Sequence, residues 1–138
     1  MGMMSRNKGK AGERAVASIL RDQLGVEVHR DWMSQSAQGG SDLAGLDKWS
    51  VEVKFCNRVD LCAWWSQAQD QAAREGKLAA LIWRQTGAGR GLPDEWKWQA
   101  RVDPTSVGLE ARGHVDMPLI TWIDLVREML ISEGRIAA

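Results

Sequence analysis

The stretch Val51-Glu52-Val53-Lys54-Phe55 alternates apolar and charged residues, the period of a strand whose successive side chains leave opposite faces. Val51, Val53 and Phe55 then enter a core, and Glu52 and Lys54 stand side by side on the other face. Ten positions before Glu52, Gly39-Gly40-Ser41-Asp42 delivers a second carboxylate at the start of the preceding strand. If Asp42–Leu46 and Trp49–Phe55 pair as a hairpin turning near Asp47, Asp42 lies across from the region of Glu52. Two carboxylates, with the Val53 carbonyl, suit a hard divalent cation such as Mg²⁺, which keeps water and substrate phosphate in its remaining positions. Such a cation lowers the pKa of a bound water next to a scissile phosphate. Lys54 would orient that water or neutralise charge developing on the phosphate. The structural alternative is a surface Glu–Lys pair on a strand with an Asp at a strand end.

The elements around these residues follow from spacing and punctuation. A helix is predicted from about residue 7 to residue 24, closed by Gly25, with Val16, Leu20 and Leu24 as its apolar stripe. Glu13 lies on the extension of that stripe at 100° per residue, so its carboxylate needs a partner or serves the helix start through the dipole. Val26–Arg30 reads as a strand and Asp31–Ser41 as a polar loop. Asp60 caps a second helix, Leu61–Glu75, stopped by Gly76; on it Gln67 and Gln71 stand one turn apart. Leu78–Arg84 is a buried strand and Gln85–Glu95 a glycine-rich loop. Trp96–Val102 alternates as a half-exposed strand, and a capping box at Thr121 and Asp124 would open a last helix that ends at Gly134. The order α-β-β-β-α-β-β-α implies an α/β fold, a mixed central sheet flanked by helices, in one domain spanning residues 1–138.

In this order, Gly12-Glu13, Gly39-Gly40-Ser41-Asp42 and Val51-Glu52-Val53-Lys54 resemble the PD-(D/E)-x-K nuclease superfamily, with its restriction-endonuclease-like core. The likeness is closest to the Holliday-junction-resolvase-like group of archaea and phages, and it covers roughly residues 6–84. Ser41 stands where the motif name has proline. The resemblance implies a metal-dependent endodeoxyribonuclease, with Asp42 and Glu52 binding Mg²⁺ or Mn²⁺ and Lys54 serving the attacking water. Glu13 would complete the acidic site and Gln67 would support it from the helix. It also implies homodimers that set two sites across branched DNA. A loop serine often precedes the Asp in such resolvases; Ser34, Ser36 and Ser41 all qualify. A nuclease for linear, nicked or single-stranded DNA, and a non-catalytic DNA-binding module, are the other readings.

The chain has 138 residues, with 18 basic and 18 acidic side chains, so its net charge is zero. That total hides an uneven distribution, because residues 1–30 hold six basic and three acidic groups. Arg6, Lys8, Lys10 and Arg14 flank Glu13, and Arg30 and Ser34, Ser36, Gly39 and Gly40 lie on the other approach. These are the expected DNA contacts, largely sequence-independent and salt-sensitive. The longest apolar run, Leu78–Trp83, is six residues against the roughly 20 of a membrane helix, so no membrane association is expected. Two cysteines, Cys56 and Cys62, cannot frame a disulfide scaffold and suggest a reducing, cytoplasmic setting. No signal-peptide pattern opens the sequence, and nothing in it calls for an organic cofactor. His29 and His114 are isolated, and Gly87-Ala88-Gly89-Arg90-Gly91 lacks the Lys-Ser/Thr ending of a phosphate loop.

Overall fold

The computed structural model describes residues 3–31 and 41–138, with side chains from Asn7 onward. Helix α1, Met3–Leu24, starts a turn earlier than its apolar stripe requires. Strands β1 (His29–Arg30), β2 (Leu43–Ala44) and β3 (Trp49–Cys56) follow. Helix α2, Leu61–Glu75, opens on Asp60, whose carboxylate accepts from the Ala63 amide, and closes on Gly76. Strands β4 (Leu78–Gln85), β5 (Gln99–Val102) and β6 (Val115–Pro118) and helix α3 (Leu119–Ser132) follow among the described residues. The six strands form one sheet in chain order, β1-β2-β3-β4-β5-β6. Only β3 and β4 are parallel, joined through α2; every other neighbouring pair is antiparallel. This is the mixed α/β architecture the sequence pattern implies. No helix among the described residues is long and apolar enough to cross a membrane.

The two faces of the sheet bury different clusters. Val51 and Val53 of β3 and Ala80 and Ile82 of β4 pack with Val16, Leu20 and Leu24 of α1 and with Trp122, Ile123 and Val126 of α3. Trp49 meets Trp122 edge to face, ring centroids 5.8 Å apart. On the opposite face Ala79 and Leu81 of β4 pack against Trp65, Ala68 and Ala72 of α2. The alternation of β3 therefore sorts as expected, with its even-numbered residues on the α2 side. Gly12 lets α1 lie close against β3, since a Cβ there would sit 2.9 Å from the Cβ of Phe55.

Four expected boundaries change. The strands expected over Val26–Arg30 and Asp42–Leu46 shrink to two residues each, because Gly45 (φ +122°) turns the chain directly over the Glu27 carbonyl. The strand expected from Trp96 begins at Gln99 instead; Asp94–Trp96 is a 3₁₀ turn after Pro93, and Trp96 is 48% exposed. Strand β6 falls where the sequence suggested only a polar connection. Its four residues end in a proline, and it pairs on one side only, at the sheet edge. The capping box is also absent. Helix α3 starts straight from β6 at Leu119, whose amide bonds the Trp98 carbonyl at 3.0 Å, while Asp124 pairs with Arg127.

The Gly45 turn holds β2 against β3 and has no room for a side chain: an added Cβ would fall 2.0 Å from the Glu27 oxygen. Gly45→Ala is expected to destabilise the chain by at least about 2 kcal/mol, combining a disallowed φ with a backbone clash. Urea unfolding of the two proteins checks this.

Candidate active site

The short β2 and long β3 create the site. Leu43 is the one β2 residue in register with β3, opposite Val51, and the Asp42 amide bonds the Val51 carbonyl at 2.9 Å. Beyond Val51, β3 continues without a β2 backbone beside it. There the Asp42 side chain takes the place of the missing strand: its Oδ2 accepts from the Val53 amide at 2.7 Å. A strand residue's N–H and C=O leave the same edge, so the Val53 carbonyl also lies on the edge where Asp42 stands. The Asp42 carbonyl accepts from the Asp31 amide at 2.9 Å, which fixes the backbone behind the carboxylate.

Glu52 is 6% exposed and its carboxyl group hydrogen-bonds that of Asp42. Burial pushes the Glu52 pKa up to about 9, and the Asp42 charge and hydrogen bond add to the shift. Burial also raises Asp42, to about 6, against the lowering effect of its Val53 hydrogen bond. Glu52 is raised further than Asp42, so it is the carboxyl of the pair that favours keeping a proton, with Asp42 as the acceptor. The Lys54 ammonium acts on both carboxyls, favouring their charged forms.

Glu13 enters differently from the expectation of three acids around one ion. It adds to the negative potential at Asp42, but its carboxylate is held by the Nε of Arg30 at 2.5 Å, with side-chain exposures of 12% and 20%. That ion pair satisfies the carboxylate on the core-facing stripe of α1, and it also occupies part of an arginine expected to meet DNA. Among the described residues no group of three or more His, Cys, Asp or Glu is placed to hold a metal together. The donor set is thus the Asp42–Glu52 pair with the neighbouring Val53 carbonyl. These are hard oxygen ligands, and two carboxylates are what Mg²⁺ ordinarily takes from a protein. Two hydrogen-bonded carboxyls, Glu52 buried and Asp42 half-buried, suit a divalent cation, which would compensate both charges.

The structure adds a residue that the motif did not single out. Glu75, in the last turn of α2, accepts from the Ser41 amide at 2.9 Å, the Ser50 hydroxyl at 3.2 Å and the Gln71 side-chain amide at 2.7 Å. Lys77 stands 3.6 Å away. These donors hold the Glu75 carboxyl below the usual range despite partial burial. Glu75 thereby clamps the residue before Asp42 and the residue two before Glu52 to the same helix end. One signal was available: an acid in a last helical turn opposes the helix dipole and calls for compensation. Of the two glutamines, Gln71 is buried in this network while Gln67 is exposed. Ser41 is 2% exposed, and its hydroxyl lies 3.3 Å from the Leu43 carbonyl and 3.4 Å from Glu75.

The expected DNA contacts divide. Lys10 and Arg14 are exposed on α1. Lys8 instead ties α1 to the far ends of β3 and β4, donating to Asn57 at 3.0 Å and Thr86 at 2.9 Å. The side chain of Arg6 and the residues Ser34, Ser36, Gly39 and Gly40 lie outside the described set. Cys56 and Cys62 are free thiols, and His114 packs edge-on against Trp65 at 6.0 Å.

A family model described as "Phage putative PDDEXK endonuclease" matches residues 4–90. That span runs from α1 past the end of β4 and contains Glu13, Asp42, Glu52, Lys54 and Glu75. No curated protein matches the chain.

Two measurements probe this geometry. Folded pKa values raised to about 6 and about 9 mean that the native state binds more protons than the unfolded chain. The pair's contribution is fully present below the unfolded carboxyl values and is lost as pH rises through about 6 and then about 9. Metal-free protein should therefore be less stable at pH 8.5 than at pH 5, and Glu52→Gln should flatten that slope and raise stability at the alkaline end. Thermal melts in EDTA across pH decide it. Separately, Glu75→Ala should speed amide hydrogen exchange at Ser41–Leu43, whereas Glu75→Gln, which keeps an acceptor oxygen, should leave it near the wild-type rate.

Proposed function

This chain belongs to the phage PDDEXK endonuclease family and is a nuclease by that membership; from there we propose that it is a divalent-metal-dependent DNA endonuclease that cuts branched DNA as a homodimer. The observation that carries the metal-dependent part is the Asp42–Glu52 carboxyl pair, half-buried and buried respectively, beside Lys54. Replacing such a pair by apolar residues would cost a fold little or nothing, so its presence points to a task.

In this reading Asp42, Glu52 and the Val53 carbonyl hold Mg²⁺ or Mn²⁺. The ion supplies Lewis-acid activation of water and phosphate at the site. Asp42 is pre-aimed by its Val53 hydrogen bond, so no side-chain search precedes binding. Glu52 would have to be deprotonated to hold the ion, so metal affinity would rise with pH. Lys54 places a fixed ammonium beside the carboxylates, where it orients the attacking water or offsets charge growing on the phosphate. Glu13 keeps Arg30 in place next to Asp42, and Gln67 lends an exposed amide from α2. Arg6, Lys8, Lys10, Arg14, Arg30, Ser34, Ser36, Gly39 and Gly40 are the proposed backbone contacts to DNA. The junction preference and the homodimer rest on the resemblance to Holliday-junction-resolvase-like enzymes.

Offered a four-way junction, the matched linear duplex and a single strand, the protein should nick the junction in symmetric pairs with Mg²⁺ or Mn²⁺, and nothing with EDTA. Equal cutting of all three substrates would replace the resolvase reading by a general nuclease; binding without cutting would leave a DNA-binding module. Glu52→Gln and Lys54→Ala should each lower cleavage by at least about 10²-fold while DNA affinity changes little. Cleavage persisting in both variants would remove these residues from the chemistry.

A further inference from the structure

On the outer side of the Glu13–Arg30 pair lies an open groove of about 330 Å³, lined by Arg14, Ala17 and Arg21 of α1 and His29 and Arg30 of β1. Every polar side chain in that lining is basic. Arg14 and Arg21 are seven residues apart, two helical turns, so they stand on one face about 10 Å from each other. Ala17 lies between them and is 1% exposed, so the small side chain leaves the floor low. Arg14 makes no hydrogen bond or ion pair among the described residues. Arg21 spends one terminal nitrogen on the Val28 carbonyl at 2.7 Å, which fixes its guanidinium at the groove wall. Arg30 donates to Glu13 through Nε, and its two terminal nitrogens have no hydrogen-bond partner among the described residues.

Arg14 and Arg30 are already among the proposed DNA contacts; Arg21 and His29 are not, and they stand in the same lining. One carboxylate, Glu13, balances this group through Arg30, and zero net charge over the chain gives no general reason for the remaining local excess. We infer that the groove is a phosphodiester subsite, taking the backbone of the DNA strand at a phosphate other than the one cut. Forked guanidiniums on a shallow floor suit phosphate oxygens, which they bind bidentately and without reading sequence. The position fits that role. Arg30 lines the groove and bonds Glu13, whose charge acts on Asp42, so a strand held at Arg14 and Arg21 would lie on the approach to the carboxylate pair. Arg21 and His29 thereby join the substrate-binding surface, although neither belongs to the acidic motif.

This inference rests on the DNA-cleaving reading above, and the test separates the two. Binding of a fluorescent duplex to the full-length chain is measured in EDTA from 50 to 200 mM salt. Arg14→Glu and the double variant Arg14→Ala/Arg21→Ala are compared with wild type and with Arg112→Ala, an exposed arginine remote from the groove. Both groove variants should bind roughly tenfold or more weakly at the lowest salt. Their plot of log affinity against log salt should be shallower by about 0.9 for each phosphate that the variant no longer neutralises. An unchanged slope in Arg14→Glu, whose side chain braces nothing in the fold, would overturn the subsite. So would inorganic phosphate shifting the His29 NMR signals while duplex binding keeps its slope, since the groove would then serve a free anion. A chain that cuts no DNA yet shows the predicted slopes would keep the subsite and sink the nuclease reading; the reverse pattern would sink the subsite alone.

Discussion

Two carboxyl groups meet in a hydrogen bond at the point where β2 ends and β3 runs on, and the local structure is arranged around that contact. A two-residue β2 leaves the edge of β3 open after Val51, and Asp42 covers it with a side chain in place of a backbone. The exchange creates a carboxylate with a fixed direction beside the next inward-turned residue, Glu52. Had β2 been longer, the Val53 amide would have been satisfied by a strand and Asp42 would have had no place at this edge. The Gly45 turn, which keeps β2 short and pressed on β3, is therefore as much a part of the site as the acids are.

How these acids are balanced says more than their number. Glu13 is neutralised by Arg30, and Glu75 receives donors from Ser41, Ser50 and Gln71 with Lys77 nearby. The fold thus supplies neighbouring carboxylates with cations and amides where stability needs them. Asp42 and Glu52 hydrogen-bond each other, with the Val53 amide and the charge of Lys54 beside them. Carboxyls whose pKa values are raised in this way cost stability at neutral pH, a cost that a divalent cation between them would offset. The same reasoning separates the basic residues: Lys8 is consumed by Asn57 and Thr86, whereas Arg14 is left without a partner among the described residues.

Local patterns carried the parts of the fold that local physics decides. The alternation through Val51–Phe55 fixed which side of β3 faces the main core, and Asp60 with Gly76 bracketed α2 as capping chemistry requires. The Asp42–Glu52 meeting was legible because a hairpin near Asp47 brings the two segments side by side; the register itself, Leu43 opposite Val51, was not. Other features depend on contacts that sequence spacing does not encode. Strand β6 has four residues, ends in Pro118 and exists by pairing with β5. Trp96 continued an apolar alternation, but Pro93 and Asp94 start a 3₁₀ turn that takes it out of the strand and into solvent. The Glu13–Arg30 pair joins a helix to a strand across a turn, so Glu13 read as an open ligand and Arg30 as an open DNA contact.

Glu75 shows why a motif alone understates this site. It lies more than twenty residues beyond Lys54, on a helix whose apolar face packs the opposite side of the sheet from α1. Yet its carboxylate bonds Ser41, the residue before Asp42, and Ser50, the residue two before Glu52. One acid thus precedes β2 and the other lies on β3, and one helix terminus fixes the spacing between the two segments. Backbone pairing through Leu43 and Val51 sets the register; the Glu75 clamp resists the two strands parting when like charges develop between them. That repulsion grows as Glu52 loses its proton, which is the moment the proposed cation needs both carboxylates in place. A clamp anchored on the rigid end of α2 keeps its own charge at that pH, because its pKa is held low while that of Glu52 is pushed high.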